Sequence, residues 1–246
     1  MPVLNHYKIV YILIHTLYTI FYYLWRLSVF ISKLAIRIIY SNFNHNDRPD
    51  QLQKRLFNLS KKPLHLTIIL DLEEYSLYDL ANLIFWCLTA GIPFISFYDD
   101  KGNLKKQEEH LQQIVNFNKL DNCNIIWHTQ SGMQHKNGFT GHKIHVKILT
   151  EEDGRQCIVK LIRTFALSKE IDINTEIISD YLLKQYEFPD PDMALIFSKK
   201  FNISKYPPWQ LRLTEFFKVD AIKNVNFSIF LQNLEKYSKC EQRVGK

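Results

Sequence analysis

Glycine is scarce in this chain, at seven residues among 246. Phosphate cradles built from loops need backbone that nears an anion with no Cβ in the way, so the shortage argues against them. GxxxxGK[ST] and GxGxxG are both missing. That removes the P-loop and the dinucleotide fingerprint. GxSxG and HExxH are missing too, which leaves no nucleophile elbow and no zincin helix. Cys87, Cys123, Cys157 and Cys240 show no CxxC or CxxH spacing. They read as thiols in a reducing compartment, not as a zinc site. His128, His135, His142 and His145 crowd one region. Their spacing matches no ligand pattern, and no carboxylate or thiol sits among them, so no metal is assigned. The net charge of +6 favours anionic partners such as phosphates or acidic lipid. Nucleic acid is not expected.

Apolar residues are plentiful. Hydrophobic residues make up 46% and aromatics 14%, enough for one domain with an appendage. Ile9 to Trp25 carries no charged residue. Its length of about 17 residues is the lower edge for spanning a bilayer. Tyr and Trp crowd it, as at membrane interfaces. No small residues follow it as a cleavage site would need, so it reads as a retained anchor. Lys8 precedes the run, and Arg26, Lys33 and Arg37 follow it. The positive-inside rule then places the carboxyl side in the cytosol. Residues 26–40 read as a basic amphipathic continuation at the headgroups, or as the same helix with snorkelling cations. Residues 1–45 thus form a membrane anchor, and 46–62 a polar linker with a short helix near Gln51 to Leu59.

The organising stretch is Leu64 to Tyr98. Leu64 to Leu70 is short, apolar and β-branched in its middle, as a strand buried on both faces should be. Leu77, Leu80, Leu83, Ile84 and Leu88 share one helical face. Ser76 is placed to cap that helix, with Asp79 three residues on, and Gly91 to stop it. Gly91 to Tyr98 supplies a second strand. Strand, helix, strand at this length predicts a βαβ unit with parallel strands. Sites in such sheets form beyond the carboxyl ends of the strands. Here those ends are Asp71 and Asp99-Asp100.

The pattern continues. Lys105 to Leu120 reads as a polar helix, Asn124 to Trp127 as a strand, and Thr129 to His142 as a long exposed loop. Ile144 to Leu149 alternates as a strand, and Thr150 with Asp153 opens the next helix as a capping box. Asn174 or Thr175 caps another helix through Tyr186. Met193 to Phe197 is a strand and Lys199 to Pro208 a basic loop. A final amphipathic helix runs from about Phe227 to Tyr237. Alternating strands and helices predict an α/β domain over 63–246, with a mainly parallel sheet surrounded by helices.

Few residues offer chemistry. Asp71 is placed for a metal carboxylate, yet Leu72-Glu73-Glu74-Tyr75 follows with neither glycine nor arginine. Its other reading is a solvated turn. Glu215, beside Phe216 and Phe217, is a second weak candidate for catalysis or magnesium. Trp209, Phe216 and Phe217 are candidates for a subunit interface, because aromatics are favoured there. Arg243 offers a planar fork of donors for a phosphate, and Gly245 a main-chain N–H without an obstructing Cβ.

Several segments, taken together and in order, carry a resemblance. They are Pro63 to Leu70, Trp86-Cys87-Leu88 with Gly91-Ile92, Ile95 to Asp99, Glu152-Asp153-Gly154, Pro189 to Asp192, Pro208 to Glu215 and Cys240 to Lys246. Over about residues 60–246 the sequence resembles the Nogo-B receptor family, the accessory subunits of eukaryotic dehydrodolichyl diphosphate synthase among the cis-prenyltransferases. The resemblance implies a cis-prenyltransferase fold and an obligate partner, the catalytic dehydrodolichyl diphosphate synthase subunit. It implies that the pair, with Mg²⁺ held mainly by the partner, elongates farnesyl diphosphate with isopentenyl diphosphate in dolichol synthesis for protein glycosylation. It also implies the endoplasmic reticulum membrane. Catalytic members carry Asp-Gly-Asn-x-Arg after the first strand; this chain has Asp71-Leu72-Glu73-Glu74-Tyr75. Their later arginine-rich motif is replaced by Phe197-Ser198-Lys199-Lys200-Phe201-Asn202. Without those cations two diphosphates could not be ionised in this chain's own pocket. The family's terminal Arg-x-Gly survives as Arg243, Val244 and Gly245, and the resemblance implies that this tail enters the partner's site. A membrane-tethered receptor with no part in catalysis is the alternative. An independently active homodimer using Asp71 and Glu215 is the third reading.

Overall fold

The computed structural model describes residues 11, 14–27, 49–71, 74–119, 123–128, 142–168, 174–186, 188–203, 205–220, 222 and 225–241. The chain divides into two compact units, Met1–Asn46 and Asp47–Lys246. In the first, residues 14–27 form a helix, α1. Its large side chains are exposed, Tyr18 at 69%, Phe21 at 71% and Trp25 at 59%. Among the described residues no helix is long and apolar enough to cross a membrane. Part of the expected span at 9–25, most of the continuation to residue 40 and the first part of the linker lie outside the described residues.

The second unit is built on one six-stranded sheet. The strands are β1 (His65–Leu70), β2 (Phe94–Tyr98), β3 (Cys123–Trp127), β4 (His142–Leu149), β5 (Met193–Phe197) and β6 (Glu215–Val219). Their order is β3-β4-β2-β1-β5-β6, and all five pairings are parallel. The helices are α2 (Pro49–Phe57), α3 (Leu77–Ala90), α4 (Asn103–Lys106), α5 (Glu108–Asn118), α6 (Arg155–Ser168), α7 (Thr175–Tyr186) and α8 (Phe227–Ser238). A parallel strand must be reached by a crossover, so helices cover both faces and the central strands turn apolar on both sides. Every residue of β1 is buried.

Alternation along the strands divides the core. Leu66, Ile68, Ile95, Phe97, Val146 and Leu195 face one way and pack with Leu80, Leu83, Ile84, Leu111 and Phe230 of α3, α5 and α8. Ile69, Tyr98, Leu149, Ala194 and Ile196 face the other way and pack with Leu161, Phe165, Ile178 and Leu182 of α6 and α7. Phe97 and Phe197 are fully buried, and burying one such ring contributes about 1.5–3 kcal/mol.

The local signals act as read for α3 and α7. Ser76 accepts from the Tyr78 N–H, and Gly91 closes α3 at φ 75°. Only a residue without a Cβ adopts that angle without strain. Asn174 Oδ1 accepts from the Ile177 N–H at 2.9 Å and so caps α7. Three segments differ from expectation. The single helix over Lys105 to Leu120 is two, α4 and α5, parted at Gln107, and α4 starts early because the Asp99 carboxylate takes the Lys101 and Leu104 N–H groups. β4 begins at His142 rather than Ile144, since Cys123 of β3 pairs with His142. Residues 129–141 of the expected loop lie outside the described residues. Finally, Glu215–Val219 is an edge strand, held by pairing with β5. The Thr150 and Asp153 box does form, but it caps a short 3₁₀ turn over Glu151–Asp153.

α6 starts one residue beyond Gly154, and the reason is close backbone approach. A Cβ on Gly154 would lie 2.7 Å from the Lys205 carbonyl oxygen and 3.2 Å from that of Glu151. Both obstacles are backbone, so neither swings aside. Gly154→Ala is expected to destabilise the fold by about 2 kcal/mol and to lower the thermal midpoint by about 4–8 °C. A calorimetric scan showing an unchanged midpoint would mean that the Lys205 segment yields freely.

Candidate functional site

The carboxyl rim of the sheet is where a site should form, and here it is closed by hydrogen bonds. Asp71 follows β1, and its N–H donates to the Phe197 carbonyl at 3.4 Å. Its carboxylate accepts from the Ser198 hydroxyl at 2.9 Å and from the Asn202 side-chain amide at 3.0 Å. The Ser198 hydroxyl also engages the Lys200 backbone. The β1 and β5 ends are therefore stitched together by neutral groups, while Lys199 and Lys200 point into solvent. Ser198 and Asn202 lie in the segment singled out for lacking arginine. Their pairing with Asp71 spans more than a hundred residues of sequence, which no local pattern encodes.

The second strand end is occupied as well. Asp99 Oδ1 and Oδ2 accept from the Lys101 and Leu104 N–H groups at 3.1 and 2.8 Å. Its carboxylate is a helix cap. Among the described residues, no three His, Cys, Asp or Glu side chains come together as metal ligands. The side chains bonded to Asp71 are a hydroxyl and an amide, and among the described residues no second carboxylate joins it, so this is a poor magnesium donor set. The residues described in this crevice do not fit a metal ion.

Glu215 is not part of this crevice. It opens β6, level with Met193 and Leu66 near the amino ends of β5 and β1. Asp71 lies at the carboxyl end of β1. The strand between them is about 15 Å long at 3.3 Å per residue. The structure therefore separates the two carboxylates on opposite rims, so they form no pair within one chain. Glu215 has Tyr237 nearby on its own rim. Burial, with Asp192 and Glu215 adding negative charge, pushes the Tyr237 phenol up to about 12.

The aromatic candidates divide three ways. Phe216 packs on the face covered by α6 and α7, and its ring meets Phe201 edge-on at 5.9 Å. Phe217 packs on the opposite face. Trp209 sits in a 3₁₀ turn, Pro208–Leu211, and its Nε1–H donates to the Ser179 hydroxyl at 3.0 Å. It borders an open groove of about 830 Å³ that also presents Glu176, Asp180, Asp190 and Arg212. Burial, only partly offset by Arg212, raises the Asp190 carboxyl. All three rings are half-buried, so each completes the core on one side and offers surface on the other.

Between the two rims lies a polar chain that sequence reading missed. His65 Nδ1 is 2.7 Å from the Pro189 carbonyl and Nε2 is 2.8 Å from the Ser96 hydroxyl. A carbonyl only accepts, so Nδ1 carries the proton. Ser96 Oγ is 2.9 Å from Thr67 Oγ1. Burial is the main reason that the His65 pKa falls to about 4. Of the histidines flanking the loop, His128 Nε2 and His145 Nδ1 bond at 2.8 Å. Burial and then Lys143 lower the His145 pKa. One ring must donate and the other accept, so this pair is a hydrogen bond, and His135 lies outside the described residues.

Arg243 and Gly245 also lie outside the described residues. The chain that leads to them is held firmly. Asn226 caps α8 through the Ile229 N–H at 2.9 Å. Beyond α8 the Ser60 hydroxyl donates to the Ser238 carbonyl at 2.7 Å, and Lys61 Nζ donates to the Cys240 carbonyl. Residues 60 and 61 lead into the start of β1. The described chain thus ends at Glu241 towards the amino rim, away from Asp71.

No protein-family model matches the sequence. Curated homologues do. The sequence is 28% identical over 219 residues to the dehydrodolichyl diphosphate synthase complex subunit nus1 of Schizosaccharomyces pombe, covering 82% of this chain and 84% of that protein. It is 29% identical over 205 residues to the mouse subunit Nus1, covering 77% and 68%, and 29% identical over 202 residues to the human subunit NUS1, covering 77% and 69%. In fold it resembles lavandulyl diphosphate synthase from Lavandula x intermedia, at TM-score 0.55 and 16% identity over 74% of this chain and 98% of that one. A probable undecaprenyl diphosphate synthase from Campylobacter jejuni gives TM-score 0.53 at 14% identity, over 76% and 100%. The parallel sheet with surrounding helices is thus a cis-prenyltransferase-like fold.

Proposed function

We propose that this chain is a noncatalytic subunit of a dehydrodolichyl diphosphate synthase complex, essential because its Arg243-Val244-Gly245 segment completes the active site of a catalytic partner. The observation that carries this reading is the closed crevice. Asp71 is taken up by Ser198 and Asn202, where a working enzyme needs cations to hold and ionise a diphosphate. The similarity to named complex subunits over about four-fifths of the chain supports the partnership.

The chain's course supports a contribution in trans. Arg243 follows Glu241 by two residues, which add at most about 7 Å. The six residues of β1 cover about 20 Å. The described chain therefore heads away from its own crevice at Glu241, which favours a partner's site for the segment beyond. Its guanidinium would bind isopentenyl diphosphate in the partner's pocket through two parallel hydrogen bonds. The Gly245 N–H would approach the same anion. Magnesium, which neutralises diphosphate charge, belongs on this reading to the partner. Trp209, Phe216 and Phe217 line the surface offered to that partner. The uncharged run at Ile9 to Trp25 would anchor the subunit in the endoplasmic reticulum membrane, with residues 46–246 in the cytosol.

Purification from membranes under mild detergent tests this, with the co-purifying polypeptide identified by mass spectrometry. The complex is expected to elongate farnesyl diphosphate with isopentenyl diphosphate, and the separated chain to give no product. Elongation by the separated chain would refute the assignment.

A further inference from the structure

α2 carries an aromatic side chain that its own fold turns away. Leu56 is buried at 7%, and Leu52 and Leu59 pack against the same core. The Arg55 guanidinium clamps the helix to α8 through both oxygens of Glu235, at 2.7 and 3.1 Å. With that face fixed, Phe57 projects outward and is 89% exposed. Rotation cannot hide it, because the contacts of Arg55 and Leu56 would be lost. Phe57 borders a shallow groove of about 610 Å³ between α2 and the end of α3, together with Lys54, Asn58, Lys62 and Thr89. Lys54 and Lys62 are exposed. Among the described residues, no carboxylate lines the groove.

An exposed ring flanked by ammonium groups, in a groove whose described lining holds no acid, matches an anionic lipid surface. The ring enters the headgroup boundary while the cations stay with the phosphates. The same chain supplies a second reason for choosing lipid. α1 has no charged residue among its described residues before Arg26, and its aromatic side chains are exposed. We propose that the patch of Lys54 and Phe57 on α2 with Lys62 just beyond it docks the folded domain onto an anionic membrane surface. This rests on the membrane-attached reading above and adds an orientation to it. The patch adjoins the carboxyl end of α3, and α3 runs back from the carboxyl end of β1 to the amino end of β2. Docking therefore sets the amino rim of the sheet on the bilayer and turns the Asp71 crevice away.

The test uses the full chain with its catalytic partner, reconstituted in vesicles of phosphatidylcholine with or without phosphatidylserine. Phe57→Trp adds an indole at an exposed site, and its emission is read as the increment over the parent chain. In vesicles with phosphatidylserine that increment is expected to be quenched by brominated lipid and sheltered from acrylamide. Lys54→Gln with Lys62→Gln is expected to weaken docking about 25-fold, at about fivefold for each lysine near the surface. In phosphatidylcholine alone the increment should stay open to acrylamide.

Flotation of the parent complex is read separately. If it floats with the vesicles yet the added indole meets acrylamide in both lipids, the docking proposal falls and the anchor stands. If it floats with neither vesicle, the membrane reading falls and docking falls with it. An indole sheltered equally in both lipids, and only when the partner is present, would make the occupant a protein and overturn the proposal.

Discussion

Arg243→Ala is expected to leave the complex assembled and to lower its synthase activity by about 10²–10³-fold, the range for loss of one preorganised donor to a developing negative charge. The reason is geometric as well as electrostatic. A guanidinium offers two parallel N–H bonds to one diphosphate, and its charge persists at every working pH. Arg243→Lys keeps the charge but loses the fork, so it should recover only part of the rate. Gly245→Ala tests the second element, since a Cβ there would obstruct the main-chain N–H. The measurement is steady-state elongation with isopentenyl diphosphate varied, beside size-exclusion chromatography of each variant complex. A donor used mainly in the transition state lowers kcat, whereas one used equally in the ground state raises KM. Unchanged kinetics with an intact complex would remove the tail from the active site and favour the receptor alternative.

The second large effect is on acid stability. His65 is buried and neutral, and its pKa in the fold is lowered to about 4 from 6.5. The unfolded chain takes up a proton as pH falls through the ordinary histidine value, but the folded chain refuses it until near 4. Stability is therefore fully present above about pH 6.5 and is lost as pH falls towards 4. The linked loss is about 3 kcal/mol, since each tenfold fall in proton affinity is worth about 1.4 kcal/mol. His145 is shifted in the same direction and adds to the loss in the same window. His65→Gln has no such titration, so most of the pH dependence between 7 and 4.5 should vanish. The variant should also be less stable at neutral pH, because the Pro189 carbonyl and the Ser96 hydroxyl lose a fitted partner. Urea midpoints against pH, for the parent and the variant, make the comparison. Parallel curves would mean that His65 does not carry the acid sensitivity.

Much of the fold was legible because its signals are local. Ser76 and Gly91 bound α3 through groups within a turn of themselves, and Asn174 does the same at the start of α7. Met193–Phe197 was readable as a strand from its apolar run alone. β6 was not, because Glu-Phe-Phe-Lys-Val has no clean alternation. Its strand form comes from the β5 ladder, in which Leu195 pairs with Phe217. The break between α4 and α5 escaped notice for a similar reason. The break falls at Gln107, whose φ of −102° and ψ of 9° leave the helical region, and no residue type in this stretch marks it.

The candidate site divides along the same line. The lack of arginine at Leu72 to Tyr75 and Phe197 to Asn202 is plain in the sequence, and the resemblance makes it a departure from catalytic members. Asp71 as a bound strut, and Glu215 on the far rim, could not be read there. Hydrogen bonds to Ser198 and Asn202, and the parallel register that parts the two carboxylates, arise only when distant segments meet. Residue type and short-range spacing determined the α/β class and the caps. Which side chains become partners was decided by packing, because contact across a sheet depends on strand order and register, and neither is set by neighbours along the chain.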